Sequence, residues 1–158
     1  MNRFTGSIMK LEILLALVFS FYQPKIPPLP VIHHDPRLAA LATFMRVHNF
    51  APIQLTYVKD YIACADRFQT DWRLLPSIAL AESSGGKRYP IRTNNFLGWN
   101  SANYSFQSKT DALCFVSEKL ANGQYYRGKS TQAKLNAYNP NPQYAKTVMR
   151  YMNEINSR

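Results

Sequence analysis

Residues 74–86 read Leu74-Leu75-Pro76-Ser77-Ile78-Ala79-Leu80-Ala81-Glu82-Ser83-Ser84-Gly85-Gly86. Leu75, Ile78, Ala79 and Glu82 stand at i, i+3, i+4 and i+7, so the one carboxylate of the segment falls on the apolar face of a helix. That position is costly for a charge. The group must be paired, or held in its protonated form by desolvation, and in the second state it can donate a proton. Its place in the last turn adds to this, because the negative end of the helix dipole disfavours an anion. Spacing alone leaves two readings open: an ion pair with Arg73, Arg88 or Arg92, or an acid aimed at a ligand. Thr70-Asp71 offers a cap and Gly85-Gly86 a stop, since glycine accepts the left-handed conformation of a helix end. Pro76 would clash with the carbonyl four residues back, so the regular helix is expected to begin near Pro76 or to kink there.

The flanking chain repeats the helical period. Asp35-Pro36 caps a first helix carrying Leu38, Leu41, Ala42 and Met45 on one face; after Ala51-Pro52, Leu55, Val58, Ile62 and Ala65 predict a second. Thr110-Asp111 opens another with Leu113, Val116 and Leu120, closed by Asn122-Gly123. A short helix from Ser130 to Tyr138 follows, and Asn141-Pro142 caps a last one with Tyr144, Val148, Tyr151, Met152 and Ile155 inside. Residues 85–109 are rich in Gly, Asn, Ser and aromatics and fit neither period, which predicts a long irregular loop or a small hairpin. The fold class is mainly α, and long ordered loops in such domains usually carry function.

The N-terminal part has another character. The apolar run from Met9 to Phe21, broken by Glu12 and preceded by Arg3, is short for a membrane span and reads as the core of a signal peptide. An uncleaved N-terminal anchor is the alternative, because no clean small-residue cleavage site follows. The organisation expected is residues 1–20 as signal peptide or membrane anchor, 21–34 as a proline-rich linker containing Pro24, Pro27, Pro28 and Pro30, and 35–158 as the catalytic domain. Both versions predict export to a periplasmic or extracellular compartment. There Cys64 and Cys114 can join if their Cα atoms come within about 7 Å, the alternative being two buried thiols. His33 and His34 lack further ligands at metal spacing, so neither metal nor cofactor is expected.

Of 158 residues, 46% are hydrophobic, which excludes a wholly disordered chain, and 19 Lys plus Arg against 9 Asp plus Glu gives a net charge of +10. The partner should be anionic. Nucleic acid is the weaker choice, because the basic residues are scattered and form no stripe or reading helix. An anionic wall or envelope fits the charge more simply.

Ile78-Ala79-Leu80-Ala81-Glu82-Ser83-Ser84-Gly85 resembles the Glu-Ser motif that closes the catalytic helix of lysozyme-like lytic transglycosylases, enzymes that cut the glycan strands of peptidoglycan. Ala137-Tyr138-Asn139, followed by Tyr144 and Val148, is similar to the Ala-Tyr-Asn segment and C-terminal helix of that group. Between them, Asn94-Asn95-Phe96-Leu97-Gly98-Trp99 looks like the Asn-Asn-x-Phe-Gly segment of the related bacterial glucosaminidases. The ordered set, over residues 66–156, is more specific than any one motif. Two features depart from it: the Gly-Leu-Met-Gln stretch is absent, and Pro140-Asn141 follow Asn139 where glycine is usual.

The resemblance implies a lysozyme-like helical domain with the loop over its cleft, Glu82 as general acid, and Tyr138 across the cleft to orient the acid or the sugar. Sugar rings want aromatic faces, and their rims want amides and hydroxyls. Ser83, Asn94, Asn95, Phe96, Gly98, Trp99, Asn100, Tyr104 and Asn139 are accordingly the expected substrate contacts, with plain core packing as the alternative for Phe96 and Trp99. Ordinary glycoside hydrolysis uses two carboxyls about 5 to 9.5 Å apart. The loop from Gly86 to Lys109 contains none, so a one-carboxylate transglycosylase scheme is expected. A hydrolytic N-acetylglucosaminidase or muramidase, and a non-catalytic glycan-binding module, are the alternatives. The expected partner is a peptidoglycan strand and the expected state a monomer.

Overall fold

Asp35 begins the first regular element because its side chain accepts the Arg37 N–H at 3.0 Å and Pro36 follows with a helical φ. Helix α1 spans Pro36–Val47 and buries Leu41, Phe44 and Met45. The computed structural model describes residues 35–101 and 103–156, so the expected export segment, proline linker and His33–His34 pair lie outside the described residues.

The single helix expected after Ala51-Pro52 is two. One turn, α2 (Pro52–Leu55), is tightened by the Thr56 hydroxyl donating to Ile53 O at 2.7 Å and by i to i−3 bonds at Thr56 and Tyr57. Helix α3 (Val58–Phe68) then starts afresh and buries Val58, Tyr61, Ile62, Cys64 and Ala65. It ends at Gln69, whose φ of +54° turns the chain back so that the Thr70 N–H reaches Ala65 O.

Helix α4 spans Leu74–Ser83 and is buried along most of its length, with Leu75, Ile78 and Ala79 at 2% exposure or less. Each fully buried large apolar side chain here is worth about 1.5 to 3 kcal/mol. Pro76 causes no kink. It lies in the first turn, where its missing N–H would have had no intrahelical partner. The helix closes with Ser84 in the left-handed region, Gly85 N–H bonded to Ala79 O at 3.0 Å, and the Ser83 hydroxyl bridging Ala79 O and the Gly86 N–H. Gly85 has a second reason to be glycine. A Cβ there would stand 2.6 Å from the Phe50 ring, where the α1–α2 junction presses on the helix end.

No strand occurs among the described residues, so the hairpin alternative for the long loop falls away; the segment holds one 3-10 turn, Ile91–Thr93, and is otherwise irregular. Helix α5 (Lys109–Asn122) begins one residue before the expected Thr110-Asp111, because Ser108 is the cap that accepts the Asp111 N–H while Asp111 accepts the Gln107 N–H. Helices α6 (Thr131–Tyr138) and α7 (Tyr144–Asn156) follow. Ser130 caps α6, and Asn141 receives the Gln143 N–H ahead of α7.

The helices from Asp35 onward pack as one unit. Helix α4 lies against α7, α7 against α6 and α1, and α3 against α5. The α3–α5 contact is covalent: Cys64 and Cys114 form a disulfide with Cα atoms 4.8 Å apart. Closing a loop of 50 residues is worth about 4 kcal/mol in the chain-entropy account. The C-terminal end of α4, carrying Glu82, is left facing residues 94–101 and the start of α7.

Candidate active site

Glu82 is half-buried and has no ion pair among the described residues. Arg73, one of its three expected cations, is held by Asp71 instead. The other described carboxylates are engaged elsewhere. Asp35 and Asp66 hold Arg37, Asp60 accepts from Thr110, Asp111 caps α5, Glu118 meets Lys119, and Glu154 meets His48 and Arg150.

The carboxyl of Glu82 lies where two cavities meet. The larger, about 410 Å³, is lined by Glu82, Gly98, Trp99, Asn100, Ser101, Tyr126, Tyr138, Asn139 and Pro140. The smaller, about 150 Å³, is lined by Glu82, Ser83, Arg88, Tyr89, Pro90, Asn95, Phe96, Gly98 and Ser101. Gly98 lines both. Its φ is +70°, and a Cβ built on it would come within 2.8 Å of Glu82 Cδ and closer still to Oε2. Only glycine admits the carboxyl to this position. A bigger depression of about 550 Å³ lies between α6 and α7, but its one carboxylate is Glu154, already engaged.

Two phenols flank the acid. Tyr138 and Tyr144 stack with ring centroids 6.2 Å apart and planes within 4°. Burial, and after it the nearby Glu82 carboxylate, holds Tyr138 well above the ordinary phenol range; its hydroxyl donates to Leu97 O at 2.6 Å. Tyr144 is pushed up in the same way, first by burial, then by the charge of Glu82, with a hydrogen bond to Glu82 contributing less. That bond is marginal in geometry, since the buried hydroxyl has no partner within strict hydrogen-bond limits. Both phenols therefore stay neutral O–H groups beside the acid.

The residues expected from sequence divide into two groups. Glu82, Tyr138, Gly98, Trp99, Asn100 and Asn139 come together around the larger cavity. Trp99 packs edge-on to Tyr138 and Phe115 and tilted against Tyr126, which leaves part of the indole facing the cavity. The others make scaffold contacts, and of these Ser83, Asn95 and Phe96 also line the smaller cavity. Asn95, 1% exposed, donates both amide hydrogens, to Trp99 O at 2.9 Å and Tyr104 O at 3.0 Å, and accepts the Trp99 N–H at 2.9 Å, so its side chain has little left for a ligand. Asn94 donates to Phe106 O and lines neither cavity. Phe96 is fully buried against Tyr61 and Tyr89. Tyr104 stacks on Phe115 away from both cavities. Ser83, 2% exposed, spends its hydroxyl on the end of α4.

Tyr126, Pro140 and Ser101 are cavity residues that spacing did not single out, Tyr144 comes beside Glu82 unannounced, and Arg88, one of the expected ion-pair partners, lines the smaller cavity without pairing with the acid. The available signal was weak: an exposed-looking Tyr125-Tyr126 pair just after the Asn122-Gly123 stop. Among the described residues no group of three or more His, Cys, Asp or Glu is placed to hold a metal ion. Chemically, the arrangement offers one acid with neutral hydroxyls at its back and space on both sides. Compared with models of known protein families, with curated proteins and with solved structures, the chain matches none.

Proposed function

We propose that this chain is an exported enzyme that cleaves the glycan strands of peptidoglycan as a lysozyme-like lytic transglycosylase, with Glu82 as its single general acid and base. The observation that carries the reading is the placement of Glu82, without an ion pair among the described residues, in the lining of two cavities that both include aromatic side chains. An acid that breaks a bond between two sugars needs space for a sugar on either side of it. Trp99, Tyr126 and Tyr138 supply ring faces, and Asn100 and Asn139 supply amides. The disulfide and the +10 charge fit an oxidising compartment and an anionic wall.

Glu82 donates its proton to the glycosidic oxygen as the bond to the anomeric carbon breaks. The carboxylate so formed takes the proton of the same sugar's 6-hydroxyl, whose oxygen bonds to the anomeric carbon and closes an anhydro ring. The acid is regenerated and no water is consumed. No second carboxylate lines either cavity among the described residues, which favours this scheme over hydrolysis by an acid with a nucleophile or base. Tyr144 and Tyr138 act as positioning groups, the first on the carboxyl and the second on the Leu97 carbonyl of the facing loop.

Mass spectrometry of the soluble material released from purified sacculi by the full chain tests the reading. Muropeptides with anhydro ends, lighter than hydrolysed ends by one water, are expected. Ordinary reducing ends would move the mechanism to hydrolysis, and retention on sacculi without release would leave a glycan-binding module.

A further inference from the structure

The two cavities that meet at Glu82 differ in charge. The larger has no cationic side chain in its lining, whereas the smaller includes Arg88. Arg88 is fixed through its backbone, whose N–H donates to Ser83 O at 2.9 Å, one residue beyond the acid. Its side chain is exposed and enters no ion pair among the described residues, although Glu82 lines the same cavity. Arg37, Arg73 and Arg150 each grip a carboxylate, whereas Arg88, like Arg46, Arg67, Arg92 and Arg127, has no ion pair among the described residues; of these five, Arg88 is the one that lines a cavity with Glu82. A residue whose side chain is a planar fork of N–H donors, without an ion pair among the described residues, thus lines a space of about 150 Å³ beside the acid. That fork matches a carboxylate in shape as well as charge.

We infer that Arg88 binds a carboxylate carried by the sugar that enters the smaller cavity, and thereby selects acid-bearing strands over neutral strands of the same backbone. The inference rests on the glycan-cleaving reading above and names the substrate feature that the site recognises. The cavity without a cation takes the sugar without an acid, and the one lined by Arg88 takes the acid-bearing neighbour. In a peptidoglycan strand the carboxylate has two sources: the free lactyl acid of muramic acid stripped of its peptide, or a carboxyl of the attached stem peptide. The chemistry that Arg88 recognises is common to both.

The test measures kcat and KM of the full chain and of Arg88→Ala and Arg88→Lys on peptide-free strands and on strands bearing stem peptides. Binding of the same strands and of neutral chitooligosaccharides is measured in the Glu82→Gln background, with and without Arg88→Ala. Losing a charge-assisted contact should raise KM on the acid-bearing strands about 10- to 100-fold with kcat within twofold, Lys restoring part of it, and leave chitooligosaccharide binding unchanged. A loss confined to peptide-free strands identifies the lactyl acid, and one confined to peptide-bearing strands identifies the stem. Unchanged KM and binding everywhere, or an equal loss on the neutral oligosaccharide, overturns the inference. Failure of the wild-type chain to cleave any strand, with Arg88→Ala still weakening binding to acid-bearing ones, would remove the enzyme reading and keep the carboxylate contact.

Discussion

The two walls of the cleft are built from different materials. Glu82 stands on α4, a helix whose Leu75, Ile78 and Ala79 are packed into the core. The opposite wall, residues 94–101, has no regular structure; it is anchored by the buried side chains of Phe96 and Leu97, and its backbone is fixed by a few polar bonds, three made by Asn95 and one from the Tyr138 hydroxyl to Leu97 O. The helical wall spreads its stability over many small contacts, so no single methyl group decides its position. The loop wall has only two apolar anchors, and its backbone path depends on the polar bonds. Each buried hydrogen bond there leaves an unsatisfied backbone group when broken, which costs about 1 to 3 kcal/mol.

Substitution separates the two kinds of wall. Asn95→Ala should have the largest effect on stability, on the order of 3 kcal/mol, because three bonds go at once; thermal melts and turnover should fall together, and an unchanged melting temperature would break the contrast. Gly98→Ala tests where the walls meet. The added Cβ collides with the Glu82 carboxyl and the backbone lies in the left-handed region, so turnover should drop about 100-fold, the scale of a misplaced reacting group. Wild-type turnover in that variant would mean that the acid need not occupy its observed position. Ile78→Val, on the helical wall, should cost only about 1 kcal/mol in a denaturant titration and leave turnover within twofold.

The helical part of this architecture was legible because burial imposes a 3.6-residue period, and the faces of α1, α3, α5 and α7 carry it. The exposure of Glu82 to a cleft was half-legible: its apolar neighbours announced a special carboxylate, but whether an arginine covers it depends on where Arg73 finds Asp71. The loop was the hard part. An asparagine that clamps backbone carbonyls and one that holds a sugar are the same letter, so Asn95 read as a ligand group while its amide is committed to Trp99 and Tyr104. Ser83 was legible only in part for the same reason: it lines the smaller cavity, but a hydroxyl after a glutamate says nothing of its bond to Ala79 O. Tyr126 and Tyr144 reach the site from distant elements, and packing, not local spacing, determines such neighbours. The break between α2 and α3 is accompanied by the Thr56 hydroxyl bond to Ile53 O and by two i to i−3 backbone bonds, details that an apolar stripe does not register.

The claim that matters most is that Glu82 moves the proton. Purified sacculi incubated with the wild-type chain and with Glu82→Gln, scored for bound protein and for released muropeptides, address it in one assay. The variant should bind as wild type does while release falls by about 100- to 10,000-fold, the usual contribution of a general acid. Release at the wild-type rate from the Gln variant would contradict it.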